Sequence, residues 1–276
     1  WSWNQGRNWV ELKGNLPTVP VNDLVVHPRD NDLVLATHAR GIWILDQLNA
    51  LQELTPAIAS SSGHLFGIEP AEQIRYRNEK AHTGNMIFEG ENPPEGAILD
   101  FWAGSGMSSA AFSVTNASGT EVASFTVDEV AQGMNRTTWD LRHSAVGGFG
   151  DPDSDGPYVV PGNYTVTMTG GGGSWTQSVE VREDPRLEHD AATRRAWTET
   201  LATIWDASGR ARALRRDVDA WADRLGADTN PLSVDAGVES DLRDVARETQ
   251  ELSSRISRLY GSVQGWVGPL STDQSS

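Results

Sequence analysis

The chain has no cysteine, and this absence removes several kinds of chemistry at once. Disulfides, thiolate nucleophiles and cysteine-ligated zinc or iron–sulfur centres all require that residue. Positive charge is also scarce, because 22 Lys and Arg stand against 38 Asp and Glu, giving a net charge of −16. Such a surface repels nucleic-acid phosphates and anionic lipid head groups, so we expect neither nucleic acid nor a membrane as a partner.

Long apolar runs are missing too. No stretch reaches the roughly 20 residues that a membrane-spanning helix needs, and no signal peptide is visible. The chain opens with Trp1-Ser2-Trp3 rather than Met, and we interpret it as a piece of a longer protein whose targeting signal lies upstream. What is present, including 11 tryptophans, is enough for folded cores. At about 100–200 residues per domain, the 276 residues allow one to three modules.

Residues 1–55 are predicted to form short strands. Three apolar runs, Leu24–Val26, Leu33–Thr37 and Ile42–Leu45, alternate with turn-like segments. The runs are continuous rather than alternating, which is typical of strands covered on both faces. Three strands cannot bury both faces by themselves, so they need neighbouring sheets.

The middle of the chain is predicted to be antiparallel β structure. Residues 56–95 are interpreted as a linker or transition that contains the soft segment Ser60–Gly63. Residues 96–183 contain short strands separated by turns, a spacing that favours a sandwich of under about a hundred residues. The glycine run Gly170–Gly173 is predicted to be a hairpin turn, because it lacks the lysine and helix of a phosphate loop.

The last third of the chain changes period. Apolar residues in 186–267 recur at intervals of three and four, which predicts two antiparallel helices. Gly226–Pro231 interrupts the pattern, and Ser233 is a candidate cap for the second helix. Gly209 weakens the first helix and allows a bend there. Residues 268–276 are predicted to be a disordered tail. The predicted fold class is therefore multi-domain, β followed by α.

Several segments resemble one family of large secreted bacterial proteins. Ser2-Trp3-Asn4-Gln5-Gly6-Arg7-Asn8-Trp9 resembles the Asp-box turn of sialidase-like and sortilin-like β-propellers, with Asn4 in place of the usual Asp. Thr37–Asp46 looks like the last blade of such propellers, although that family usually has Gly at position 39 and a second acid at position 47, where this chain has Ala39 and Gln47. Trp139–Arg142 and Val160–Val166 are similar to an Ig-like domain of the flagellar hook-capping type.

The resemblance implies an architecture more than an activity. Residues 1–55 would be the end of a β-propeller, residues 96–183 an Ig-like β-sandwich, and residues 186–267 an antiparallel two-helix hairpin. It also implies a secreted, extracellular or periplasmic location. Such proteins are often labelled glycosyl hydrolases, so an enzyme whose active site lies upstream of this chain is an alternative to a non-catalytic role.

Few residues suggest chemistry of their own. A glycosidase needs two carboxylates flanking a sugar, roughly 5–10 Å apart. The first module offers Asp23, Asp30, Asp32 and Asp46, but aspartates near turns commonly bond their own backbone. We therefore predict no catalytic residue. If the first module does contribute to a ligand site, His38 and Arg40 are the candidates, because they are polar, close together and placed at a strand end.

One segment is a candidate calcium site. Asp151, Asp153 and Asp155 alternate and are followed by Gly156, which resembles the start of an EF-hand loop. The match then fails, because Pro157 follows and the twelfth position is Gly162 rather than Glu. An acidic solvated loop is the competing interpretation. No other cofactor is expected.

The leading hypothesis is a structural and interaction region that packs or assembles a secreted propeller protein. Its expected partners are upstream propeller blades or another protein chain, with self-association through the helical hairpin as a further candidate. A carbohydrate-binding sandwich with Trp102, Trp139 or Trp175 as a stacking platform is the other alternative, in which a glycan is the partner.

Overall fold

The structure is a computed structural model that describes residues 1–12, 14–74, 92–144, 156–187, 190–226 and 236–265. The chain divides into two compact units. One contains residues 1–141 and 161–184, and the other contains residues 142–160 and 185–276. The first unit holds the β structure and the second holds two long helices, so the predicted order of β followed by α is confirmed.

The first sheet has the strand order β1-β2-β3, with β1 at Val21–Val26, β2 at Leu33–Thr37 and β3 at Ile42–Leu45. The strands pair antiparallel through short turns. Strands β2 and β3 coincide with the predicted apolar runs, and β1 begins three residues before the predicted run Leu24–Val26. His27 closes the first turn, because its imidazole Nδ1 lies 3.0 Å from an Asp30 carboxylate oxygen and its carbonyl accepts the Asn31 N–H at 2.9 Å.

Two further sheets form the rest of the β unit. One has the order β5-β11-β10-β7-β8 and the other has the order β4-β6-β9. Their strands are β4 (Gly63–Leu65), β5 (Ala71–Glu72), β6 (Ala97–Ala103), β7 (Ala110–Asn116), β8 (Glu121–Val127), β9 (Gly133–Trp139), β10 (Gly162–Gly170) and β11 (Gly173–Arg182). We call these two sheets the two-sheet module. Its pairs are antiparallel except for the parallel contact of β5 with β11.

Aromatic side chains join the two sheets of the module. The rings of Phe101 on β6 and Phe112 on β7 lie edge to face with centroids 5.5 Å apart. Trp139 on β9 meets Tyr164 on β10 in the same way at 5.4 Å. Since each pair spans both sheets, the two sheets share one apolar core.

The segment between the first sheet and the module contains short elements. Helix α1 (Asn49–Glu53) and helix α2 (Pro56–Ala59) precede β4 and β5. The Thr55 hydroxyl caps α2 by accepting the Ile58 N–H. Within the predicted transition of residues 56–95, Gly63–Leu65 therefore pairs with β6 and Ala71–Glu72 pairs with β11.

The second unit contains helix α3 (Ala191–Gly226) and helix α4 (Ala236–Gly265), which pack against each other. The predicted pair of helices is confirmed, and α3 continues through Gly209. Six buried residues hold the pair together near the start of α3 and the end of α4: Trp197, Leu201, Ile204, Trp205, Tyr260 and Val263. The predicted interruption and the Ser233 cap lie outside the described residues. In the described ranges, neither these helices nor the short ones have the length and apolar character to cross a bilayer.

Candidate functional site

His38 and Arg40, the predicted ligand candidates, lie on the turn between β2 and β3. Backbone atoms of both residues hold the turn: the His38 N–H donates to the Pro20 carbonyl at 2.9 Å, and the Arg40 carbonyl accepts the Trp43 indole N–H at 3.0 Å. Both side chains are exposed. The turn brings the two residues together but places them on an open surface, without the walls that a ligand site needs.

The same turn contains two residues with positive φ. Ala39 has φ of 62° and Gly41 has φ of 76°, both in the left-handed region. That region is accessible to Gly at no steric cost and is unfavourable for Ala. Gln47 also has a positive φ of 51°. The backbone is therefore strained at Ala39 and Gln47, where a residue with a side chain has a positive φ.

The Asp-box segment forms a closed turn around Asn4. The Asn4 side-chain oxygen accepts the Asn8 N–H at 2.9 Å, and the Ser2 hydroxyl oxygen accepts the Gly6 N–H at 2.8 Å. Gly6 has φ of 83°, and its carbonyl accepts the Trp9 indole N–H at 3.0 Å. Asn4 thus accepts a backbone hydrogen bond that an Asp side chain at the same position could also accept.

The candidate calcium ligands Asp151, Asp153 and Asp155 lie outside the described residues. Beside them, Arg142 pairs with Tyr158 in an antiparallel bridge, and the His143 N–H donates to the Pro157 carbonyl at 2.9 Å. Within the ranges that the structure describes, no group of three or more His, Asp or Glu side chains has the arrangement of a metal site.

The most developed polar site is a cluster of charges around Arg136 on β9. The Arg136 guanidinium donates two parallel hydrogen bonds to Asp100 on β6, from Nε to Oδ1 at 2.7 Å and from Nη2 to Oδ2 at 2.8 Å. Nη2 also donates to the Gln47 carbonyl at 3.3 Å. Asp100 is buried, and it is the cross-strand partner of Arg136. The pair therefore joins the two-sheet module to the loop that follows the first sheet.

Two aspartates of the first sheet complete this cluster. The Asp32 carboxylate accepts the Gln47 N–H at 2.9 Å. Asp46 follows β3 directly, and burial raises the pKa of its carboxyl group, with the Asp32 charge adding to the effect and Arg136 opposing it. Asp100 hydrogen-bonds the Arg136 guanidinium, whereas Asp46 and Asp32 act on it by their charge alone. The cluster therefore has three carboxylates and one cation. Sequence reasoning named Asp32 and Asp46 but missed Asp100 and Arg136.

A cavity of about 480 Å³ adjoins this cluster. Its walls are mainly apolar and come from the first sheet, from the segment before it, from α1 and from the module. They include Leu16, Leu35, Trp43, Leu51 and Met134, and the charged part consists of Glu11, Asp100 and Arg136. Since Arg136 and Asp100 are already paired, the cavity offers apolar surface more than free polar groups.

The expected glycan platform is not formed by Trp139, because that side chain is buried in the core of the module. The Trp175 ring lies where a side chain at Gly63 or Gly173 would otherwise sit, and it is partly buried. Trp102 is also partly buried, opposite His64 on β4. The three tryptophans therefore do not form a shared flat surface of exposed rings.

Asp46 gives a testable pH dependence. Because the pKa of Asp46 is raised in the folded state, its contribution to stability is fully present below about pH 4 and is lost as the pH rises through the folded value. Asp46→Asn should therefore raise the melting temperature at pH 7, and the difference from the parent should vanish below about pH 4. Scanning calorimetry at several pH values measures both.

Asp128→Asn is the matched control for Asp46→Asn, because Asp128 is an exposed aspartate in the same unit. It corrects for the general effect of removing one negative charge from a chain of net charge −16. Equal melting temperatures for the two variants at every pH would contradict the assigned role of burial at Asp46.

No protein-family model, no curated protein and no solved structure matches this chain.

Proposed function

We propose that this chain is a non-catalytic structural and interaction region of a secreted Asp-box propeller protein, in which residues 1–55 form the end of a β-propeller. The supporting observation is that the first sheet has apolar side chains on both of its faces and leaves many of them exposed. Those above one-third exposure are Val21, Leu24, Val25, Val26, Ile42, Ile44 and Leu45.

The strand register divides these side chains between the two faces. Leu24, Leu35 and Trp43 are successive cross-strand partners and share one face. Val25, Val34 and Ile44 are the next set of partners, so they share the other face. The cavity is lined mainly by the first of these faces, through Leu33, Leu35, Trp43 and Leu45, and Ile44 also lines it. On the second face Ile44 is 59% exposed, and Ile42, two residues away, is 71% exposed.

A sheet that is apolar on both faces is typical of one that lies between two other layers. Exposed apolar patches of this kind mark contact surfaces, because leaving them in water is unfavourable. Propeller blades meet this need by stacking four-stranded sheets around an axis. The first sheet has three strands in the described ranges, and β1 lies at its edge with every residue exposed. Further blades would cover both the open face and the edge.

The Asp-box turn supports the same proposal. Its hydrogen bonds fix Ser2, Asn4 and Gly6, yet they leave the Trp9 ring 73% exposed. A Trp side chain can bury roughly 150–250 Å². In this proposal the ring packs between blades. The two-sheet module would be the Ig-like domain that follows the propeller, held to it by the Arg136–Asp100 pair.

The test uses a double variant that combines Ile42→Ser and Ile44→Ser. It is measured in two proteins: this chain and the longer natural polypeptide that includes the preceding blades. In this chain the side chains are exposed, so the free energy of unfolding should change by no more than about 0.5 kcal/mol per substitution. In the longer protein they should be buried, and the pair should lose about 3 kcal/mol or more. Denaturant unfolding measures both.

Thr126→Ser on the exposed side of β8 is the control, and it should be neutral in both proteins. A double variant that is equally neutral in the longer protein would overturn the propeller proposal. Glycan hydrolysis by this chain alone would contradict the non-catalytic part of it.

A further inference from the structure

The helix pair leaves one apolar strip uncovered. Among the side chains of the two helices whose burial the structure describes, the exposed large apolar ones are Leu214, Trp221, Val245 and Leu252, and Trp221 is 58% exposed. Leu214 and Trp221 are seven residues apart on α3, and Val245 and Leu252 are seven residues apart on α4. Seven residues are about two turns, so the members of each pair lie on the same side of their helix.

Both pairs lie on the same flank of the hairpin. The seam between the helices is fixed by buried residues at heptad spacing, Trp197, Ile204, Ala211 and Val218 on α3 and Thr249 and Val263 on α4. Leu214 lies three residues after Ala211, and Trp221 lies three residues after Val218. On a helix this offset places both side chains on one side of the seam. Val245 and Leu252 are displaced from the α4 series in the same rotational sense.

In a pair of antiparallel helices, side chains rotated away from the seam in the same sense about their own helix axes lie on the same flank of the pair. Two contacts between the helices show which residues of α3 and α4 lie side by side. Trp205 contacts Tyr260, and the Trp197 indole donates to the Val263 carbonyl at 2.8 Å, so residue numbers at one level add to about 460–465. Leu214 therefore lies at the level between Val245 and Leu252. The four side chains form one continuous strip, which we call the hairpin strip.

The charge of the hairpin indicates what covers the strip. Helix α3 contains seven Arg and five acidic residues, and α4 contains four Arg and five acidic residues. The two helices together carry a net charge of +1, so the remainder of a chain with net charge −16 carries −17. The hairpin is therefore close to neutral, and two copies can approach each other there without the repulsion that the net acidic remainder of the chain produces.

The size of the flank is also sufficient. Thirty residues of helix are about 45 Å long, and two helices side by side are about 20 Å wide. That flank has a projected area of about 900 Å², which is large enough for a second hairpin laid along it to bury the roughly 800 Å² per partner of stable interfaces. A two-fold axis would place the strip of one copy against the same strip of the other, giving a four-helix arrangement.

We propose that the hairpin strip binds the hairpin of a second copy of this chain, so that the protein is a dimer through its helices. This inference goes beyond the proposed propeller role and does not depend on it, because the strip and the first sheet lie in different units. In this arrangement Arg224, at the edge of α3, lies next to Asp241, at the edge of α4 in the other copy. Both side chains are exposed in the single chain.

The test uses the whole chain and follows its molar mass by sedimentation equilibrium between about 0.1 and 100 µM. The parent should show a monomer–dimer equilibrium. Trp221→Gln should raise the dissociation constant at least about 30-fold, because a Trp that becomes buried in an interface commonly contributes 2 kcal/mol or more. The helix content by circular dichroism should not change, since Trp221 lies outside the seam.

Three controls make the result specific. Ala202→Gln, an exposed change on the opposite side of α3, should leave the dissociation constant unchanged. Arg224→Glu and Asp241→Arg should each weaken the dimer, and the two together should restore it. Ile42→Ser with Ile44→Ser tests association through the first sheet and should leave the hairpin dimer intact. A parent that stays monomeric throughout, or a dimer that survives Trp221→Gln, would overturn the proposal.

Discussion

Trp197→Ala should lower the free energy of unfolding of the helix pair by about 3–5 kcal/mol, the range for removing a buried aromatic side chain. Trp197 is only 1% exposed and lies in the cluster that joins α3 to α4. Its indole N–H donates to the Val263 carbonyl at 2.8 Å, and the Arg194 guanidinium lies 4.3 Å from its ring centroid. Urea unfolding followed by circular dichroism at 222 nm measures the loss.

Two variants separate the parts of this effect. Trp197→Phe keeps most of the apolar volume but leaves the Val263 carbonyl without its indole donor, so we expect a smaller loss of about 1–3 kcal/mol. Thr203→Ala, at an exposed position of the same helix, should change stability by no more than about 0.5 kcal/mol. If Trp197→Ala were as mild as Thr203→Ala, the cluster could not be what joins the helices.

The helix pair was predictable because its core follows from periodicity. Trp197, Leu201 and Ile204 stand at intervals of four and three, and a helix places such residues on one side whatever the rest of the fold does. The strands of the first sheet were predictable for a similar local reason, since each is a short apolar run between turn residues. These elements carry their signal within about ten residues.

The two shortest strands of the two-sheet module, β4 and β5, carried no such signal. Strand β4 has three residues and β5 has two, which is too short for a period to appear. Their strand character comes from pairing with β6 and β11, which lie at distant positions in the sequence. Ser60–Gly63 therefore looks like a linker by composition, although Gly63 is paired in a sheet.

The charge cluster was missed for the same reason. Asp100 and Arg136 are 36 residues apart and meet only because β6 and β9 pair in a particular register. Asp32 and Asp46 came up in the sequence only as carboxylates of the first module and were interpreted as turn residues, and the nearby Arg136 charge could not be predicted. His38 and Arg40 are adjacent by turn geometry alone, so their proximity was predictable and their open surroundings were not.

Arg136→Met should lower the free energy of unfolding of the β unit by about 3 kcal/mol, which is typical of breaking a buried ion pair from one side. The side chain of Asp100 is 5% exposed, whereas that of Arg136 is 31% exposed. Removing the guanidinium leaves a carboxylate inside the core without its two charge-assisted hydrogen bonds. It also removes the bond to the Gln47 carbonyl, which ties the first sheet to the module.

Changing Asp100 instead of Arg136 should lower the free energy of unfolding by less. Asp100→Asn leaves a guanidinium that can turn toward water, since about a third of the Arg136 side chain is already exposed. The double variant Asp100→Leu with Arg136→Met removes both charges, and an apolar pair of similar volume commonly replaces a buried ion pair without loss. It should therefore be more stable than Arg136→Met alone. If the double variant instead lost the sum of both single losses, the two side chains would be acting independently, and the guanidinium would not be what makes burial of the Asp100 carboxylate tolerable.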